Sequence, residues 1–224
     1  MRLLTVAHGT RTTAGNLVAA EITALAGERL GWPAATSYVE LCAPLLTDAA
    51  AAVTEPTVVV PMLLSTGYHL RQDLPRAVAA APPGLVRLGS SLGPSPLLAA
   101  AQVERLRAAG ATPGQAVVMV AAGSSDPLAT ADLEGAATLL ARAWGGPVRL
   151  ATLSGRGERL ARVVRAGDAV STYLMATGHF HRTARHDALA AGASVVADVL
   201  GPHPLVVDLV VARARALASS LALA

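Results

Sequence analysis

The chain has 224 residues, enough for one large domain or two small ones with a substantial core. Its net charge is only +3, its arginines are dispersed and aromatics make up 3%, which argues against a stacking surface for nucleic acid. No apolar stretch runs free of charges or Gly/Pro breaks for long enough to span a membrane, and the single Cys42 excludes an internal disulfide or a cysteine-cluster metal site. The N-terminus shows a strand pattern and no signal peptide, so a cytoplasmic protein is expected. All 18 basic residues are arginine. Such a bias fits a GC-rich coding sequence, which also accounts for the abundant alanine, or a surface that grips carboxylates and phosphates.

Residues 2–7 read as a strand and are followed by His8-Gly9-Thr10-Arg11. A helical pattern runs from about Ala14 to Leu30, with Gly31 as its C-terminal cap. Residues 35–40 read as a second strand ending on Glu40, and Pro44 opens a short helix to about Val53. The β-branched run 57–64 reads as a strand buried on both faces. It turns at Ser65-Thr66-Gly67 and leaves His69 at its lip, with Asp73 as N-cap of a further helix. A short strand at 85–88 precedes Ser95-Pro96, an N-cap and N1 proline, and a helix to Ala109. Strands alternating with helices at this spacing predict βαβ units with parallel sheets, an α/β fold.

The pattern restarts after Gly110-Ala-Thr-Pro-Gly-Gln115. Val117–Ser125 parallels the first strand and turn, Thr172–Gly178 parallels Pro61–Gly67, and Leu200–Leu205 parallels Leu92–Leu97. Three matches in the same order predict a tandem duplication, with domains at 1–112 and 113–224. Ala122 stands where the first half has His8, and the region opposite Glu40 lacks a carboxylate. The first half therefore holds a candidate His/Glu/His set that the second half lacks.

His8, Glu40 and His69 each follow a predicted strand, and parallel strands bring their C-terminal ends to one edge. Two imidazoles and a carboxylate suit a borderline divalent ion such as Fe²⁺, Co²⁺, Ni²⁺ or Zn²⁺, in an open site. Each residue also has a plain reading, as a turn histidine or a solvated strand end. Arg11 and Arg71 stand close to these histidines and can bind acidic groups, or can be solvated. Ser65, Thr66 and Gly67 offer hydroxyls and N–H groups to a carboxylate, or form an ordinary turn. His179, His181 and His186 cluster in the second half, as an auxiliary metal site or acid–base group, or as exposed histidines. His203 replaces Ser95 at a helix start. Arg156, Arg159, Arg162 and Arg165 read as a solvated helix face.

Val-Ala-His8-Gly-Thr-Arg, Tyr-Val-Glu40-Leu-Cys-Ala-Pro, Pro-Met-Leu-Leu-Ser-Thr-Gly-Tyr-His69-Leu-Arg-Gln-Asp-Leu-Pro and Leu-Gly-Pro together resemble the class II sirohydrochlorin chelatases, over nearly the whole chain. The resemblance implies two similar chelatase-like domains, with a cleft between them for the tetrapyrrole. It implies insertion of Fe²⁺ into sirohydrochlorin to give sirohaem, or of Co²⁺ towards cobalamin. His8 and His69 would be metal ligands and proton acceptors, with Glu40 assisting. Arg11, Arg71, Ser65, Thr66, Gly67, His179 and His181 would bind the substrate. The metal is substrate, no organic cofactor is expected, and the chain is expected to act as a monomer. The sequence has no cysteine-rich tail, so no iron–sulfur cluster is expected. Two rivals are a non-catalytic metal or tetrapyrrole carrier, and a histidine phosphatase. The second lacks the arginine that should precede its histidine, since Ala7 stands there.

Overall fold

The central strands are apolar throughout because both of their faces are covered. The computed structural model describes residues 1–221. In chain order the elements are β1 (Arg2–Ala7), α1 (Thr13–Leu30), β2 (Ala34–Tyr38), α2 (Leu46–Ala51), β3 (Thr57–Pro61), a π-helical turn (His69–Asp73), α3 (Leu74–Val78) and β4 (Val86–Leu88). There follow α4 (Pro96–Ala108), β5 (Val117–Ala121), α5 (Pro127–Trp144), β6 (Val148–Thr152), α6 (Leu160–Val163), β7 (Ala169–Tyr173), α7 (His179–Ala190), β8 (Val195–Val196) and α8 (Pro204–Leu221). They build two parallel four-stranded sheets, ordered β2-β1-β3-β4 and β6-β5-β7-β8. The identical strand order is what the predicted duplication requires.

In the first sheet the two-residue period sorts the side chains. Leu4, Val6 and Val59 pack on Leu46 of α2 and on Leu74 and Ala77 of α3. Thr5 points to the other face, where its hydroxyl meets that of Thr23 on α1 at 2.5 Å. Thr23 in turn donates to the Ala19 carbonyl, so these buried hydroxyls are paired. The helix stops read as expected. Gly31 adopts the left-handed conformation (φ 68°) that ends α1, and the Ser95 hydroxyl accepts from Leu97 N–H at the start of α4. His203 plays the same part for α8, its Nδ1 accepting from Leu205 N–H.

The chain divides into two compact units, but not at the predicted boundary of 112/113. One comprises Met1–Leu92 with Pro202–Ala224, the other Gly93–Gly201. The helix closing each repeat is the reason. α4 packs on α5 and β7, and α8 packs on α1, β3 and β4. Ser171 donates to Gln102 of α4, which ties that helix to the second sheet. Arg29 of α1 pairs with Asp208 of α8 in the first unit. The predicted arginine face is also corrected: α6 spans only Leu160–Val163, and Arg159 bonds the Thr152 hydroxyl and the Gly155 carbonyl instead of lining a helix.

Candidate metal centre

The site begins with the register of the first sheet. β1 lies parallel between β2 and β3, with Ala7 opposite Tyr38 and Val6 opposite Pro61. Pairing continues past the strand ends: Val39 N–H donates to the Ala7 carbonyl (2.9 Å) and Glu40 N–H to the His8 carbonyl (3.1 Å). His8 and Glu40 are therefore held side by side by backbone bonds. Gly9 makes this possible. It has φ 94°, and a Cβ there would lie 1.9 Å from the Glu40 carbonyl oxygen, so only glycine allows the two backbones to approach.

His69 arrives differently from expectation. β3 ends at Pro61, not at 64, and His69 is the first residue of the π-helical turn, not a residue at the strand lip. Arg71 N–H donates to the Gly67 carbonyl, so the backbone is already helical before His69. Asp73 is accordingly no N-cap. It sits one helical turn after His69, and its carboxylate lies 2.7 Å from His69 Nδ1. A carboxylate only accepts, so in the neutral ring this bond places the proton on Nδ1 and leaves the Nε2 lone pair for a ligand.

The three predicted ligand residues converge. One ligand atom from each of His8, Glu40 and His69 lies within 4.8 Å of the others. His8 Nε2 and Glu40 Oε1 are 3.7 Å apart, and the two imidazole rings meet edge to face with centroids 4.8 Å apart. Ligand atoms held at ~2.1 Å from one ion stand ~3 to 3.5 Å apart, so a small contraction would bring these onto a shared metal. Half of the His8 and Glu40 side-chain surface is exposed, which leaves the site open to a further ligand. As an ion pair at that exposure, His8 and Glu40 would stabilise the fold little. The arrangement is suited to holding a cation that other groups can also reach. Tyr38, two residues before Glu40, ties β2 to α1 by donating to the Asn16 carbonyl. Burial, and secondarily Cys42, holds its phenol above the usual range.

A pocket of about 430 Å³ adjoins the centre between α2 and α3. Glu40, Thr47, His69, Asp73 and Arg76 line it, above Leu46 and Leu74. Sequence reading missed Asp73 as a partner of His69 and missed Arg76. The signal was their spacing, four and seven residues after His69, which is one helical face. Of the predicted substrate-binding residues, Ser65, Thr66 and Gly67 lie half-buried in the turn before the π-helical segment, and Arg11 and Arg71 are exposed. Neither arginine borders the pocket. His179 and His181 lie in the first turn of α7 in the second unit, where His181 Nε2 is 3.7 Å from Asp198 Oδ1. Among the described residues, His8, Glu40 and His69 form the one cluster of three or more such side chains able to hold an ion.

The second unit repeats the backbone without these three side chains. Ala121 pairs with Thr152 as Ala7 does with Tyr38, and Ser154 N–H donates to Ala122 as Glu40 does to His8. A Cβ on Gly123 would lie 2.0 Å from the Ser154 carbonyl, mirroring Gly9. Val120 pairs with Thr172 as Val6 does with Pro61, so His69 corresponds to Phe180 and Asp73 to Ala184.

The chain thus consists of two repeated parallel α/β units, one of which brings two imidazoles and a carboxylate together past its strand ends. Residues 2–109 match the sequence model of the CbiX family. Among solved structures the chain is similar to SirB from Bacillus subtilis with Fe³⁺, at TM-score 0.83 and 23% identity over 98% of this chain and 96% of that one. It is also similar to the sirohydrochlorin chelatase SirB from Bacillus subtilis subspecies spizizenii in complex with cobalt, at TM-score 0.80 and 24% identity over 98% and 95%. CbiX, the terminal enzyme for biosynthesis of sirohaem in denitrifying bacteria, matches at TM-score 0.70 and 18% identity over 96% and 99%. No curated protein sequence matches. At these identities the likeness is one of fold, and the chain has the fold of the sirohydrochlorin chelatases. No helix among the described residues is long and apolar enough to cross a membrane.

Proposed function

We propose that this chain is a sirohydrochlorin chelatase that inserts Fe²⁺ into the macrocycle, with His8, Glu40 and His69 receiving the ion. The observation that carries this reading is the convergence of those three side chains within 4.8 Å in the repeat that matches the CbiX family. Insertion exchanges two pyrrole N–H protons for one divalent ion. Three protein ligands leave positions through which the macrocycle nitrogens can take the metal over. As the ion leaves, the freed imidazoles of His8 and His69 and the Glu40 carboxylate become bases able to accept the two protons. Asp73 keeps Nε2 of His69 as the atom that first holds the ion and then takes a proton. Arg11, Arg71 and the Ser65-Thr66-Gly67 turn would hold carboxylates on the macrocycle rim.

Cobalt is the second reading, favoured by the cobalt complex of the similar Bacillus structure. The ligand set suits either ion. The test is anaerobic mixing of protein, sirohydrochlorin and Fe²⁺ or Co²⁺, following the change in macrocycle absorption. The proposal requires a rate well above the protein-free control, with a larger kcat/KM for iron. A rate equal to the control contradicts a chelatase. Tight stoichiometric binding without turnover identifies a carrier instead.

A further inference from the structure

Leu41 directly follows Glu40 and is the one non-glycine residue with positive φ (68°) among the described residues. A leucine in this conformation costs free energy that a glycine would not. It does not repay this cost by packing, because 49% of its surface is exposed. The internal repeat shows the cheaper solution. The loops after β2 and β6 have the same length, since Tyr38 bridges Leu45 and Thr152 bridges Arg159. Leu41 therefore corresponds to Gly155, whose φ is 62°. The repeat without metal ligands has glycine in this turn, and the repeat with them has an exposed leucine.

Tyr68 follows the same logic on the other side of the centre. It immediately precedes His69, its ring centroid is 6.3 Å from the imidazole, and it is 59% exposed. Its counterpart in the second unit is His179. Two exposed apolar groups thus flank the ligands Glu40 and His69, and both are missing from the ligand-free copy. Neither the core nor the conformation of the turn accounts for them.

We infer that Leu41 and Tyr68 form an apolar seat for the flat face of the macrocycle, setting it over the ion held by His8, Glu40 and His69. This rests on the chelatase reading. A tetrapyrrole has a broad apolar face and charged edges, so a seat of this kind complements the arginines and hydroxyls proposed for its rim. The two residues position the substrate and take no proton or metal.

The test uses the full chain with two separate titrations, sirohydrochlorin without metal by fluorescence and Co²⁺ alone by absorption. Covering the exposed half of Leu41 predicts that Leu41→Gly weakens sirohydrochlorin binding about fivefold. Leu41→Met keeps the volume and should stay within about twofold of the parent. Tyr68→Ala should weaken sirohydrochlorin binding as well. Co²⁺ affinity of Leu41→Gly should match the parent, and its unfolding midpoint should not fall, because glycine adopts this φ at lower cost. A parent that binds sirohydrochlorin while Leu41→Gly binds it equally well overturns the seat and spares the chelatase reading. A parallel loss of Co²⁺ affinity in Leu41→Gly also overturns the seat, because Leu41 would then serve to hold Glu40. A parent that takes no sirohydrochlorin overturns the chelatase reading itself.

Discussion

Replacing Asp73 by alanine tests the way His69 is set. The carboxylate lies 2.7 Å from His69 Nδ1, and the two side chains are 33% and 34% exposed. A hydrogen bond to a charged group nets about 1.5–3 kcal/mol when buried, and partial exposure places this one near the lower end. Without it the ring is free to rotate and to carry its proton on Nε2, the atom offered to the metal. A loss of about 1.4 kcal/mol is tenfold in metal affinity, the lower limit of what partners of metal-binding histidines contribute. Co²⁺ titration of the full chain, followed by visible absorption, reads this directly. Asp73→Asn keeps an acceptor of the same shape without the charge, and should lose about threefold. Stability should fall by about 1–1.5 kcal/mol, because the same bond is lost from the folded, metal-free chain. An Asp73→Ala chain that binds Co²⁺ as the parent does would refute the argument, and His69 would then have to be oriented by its own backbone.

Gly9→Ala should destabilise the first unit by about 3 kcal/mol or more and abolish Co²⁺ binding, because its Cβ would meet the Glu40 carbonyl at 1.9 Å. Gly123→Ala, whose Cβ would meet Ser154 at 2.0 Å, should destabilise similarly and leave Co²⁺ affinity intact. Denaturant midpoints beside Co²⁺ titrations separate the two, and equal metal affinities in both variants contradict the backbone argument. The internal equivalence predicts that Ala122→His, Ser154→Glu and Phe180→His together raise Co²⁺ stoichiometry from one to two per chain. The second ion should be the weaker, as Ala184 stands in place of Asp73, and stoichiometry fixed at one denies the equivalence. Tyr173 should govern the alkaline limb of stability. Burial first, and Asp132 second, hold its phenol well above the ordinary tyrosine range. Its contribution is intact below pH ~10 and is lost above it, by up to about 1.4 kcal/mol per pH unit, as the unfolded chain releases a proton the folded chain keeps. The chain has no lysine to overlay this limb. Tyr173→Phe should flatten the pH dependence of urea midpoints above pH ~10, and an unchanged slope contradicts the assignment.

The parallel sheets were legible because Val58, Val59 and Val60 announce a strand covered on both faces, and because alternating helices force parallel neighbours. His8 and Glu40 followed from them, as residues just past parallel strands share an edge. His69 was legible by type and motif but not by position. Asp73-Leu-Pro carries an N-cap signature, yet the helical backbone begins earlier, at Tyr68, and turns Asp73 into a partner for the ring. The composition of the two units was not legible. α4 and α8 present similar patterns after similar Gly-Pro turns, and nothing local says which sheet will cover a helix. The strain at Leu41 was hidden because leucine is not a turn residue. Only its alignment with Gly155 reveals it.

The central claim is that one divalent ion sits between His8, Glu40 and His69. Diffraction from crystals of the full chain soaked in Co²⁺, recorded at the cobalt edge, tests it most directly. The account predicts one anomalous peak about 2.0–2.2 Å from a ring nitrogen of each histidine and from a Glu40 carboxylate oxygen. A peak held by other side chains, such as His181 and Asp198, with these three left unligated, would contradict it.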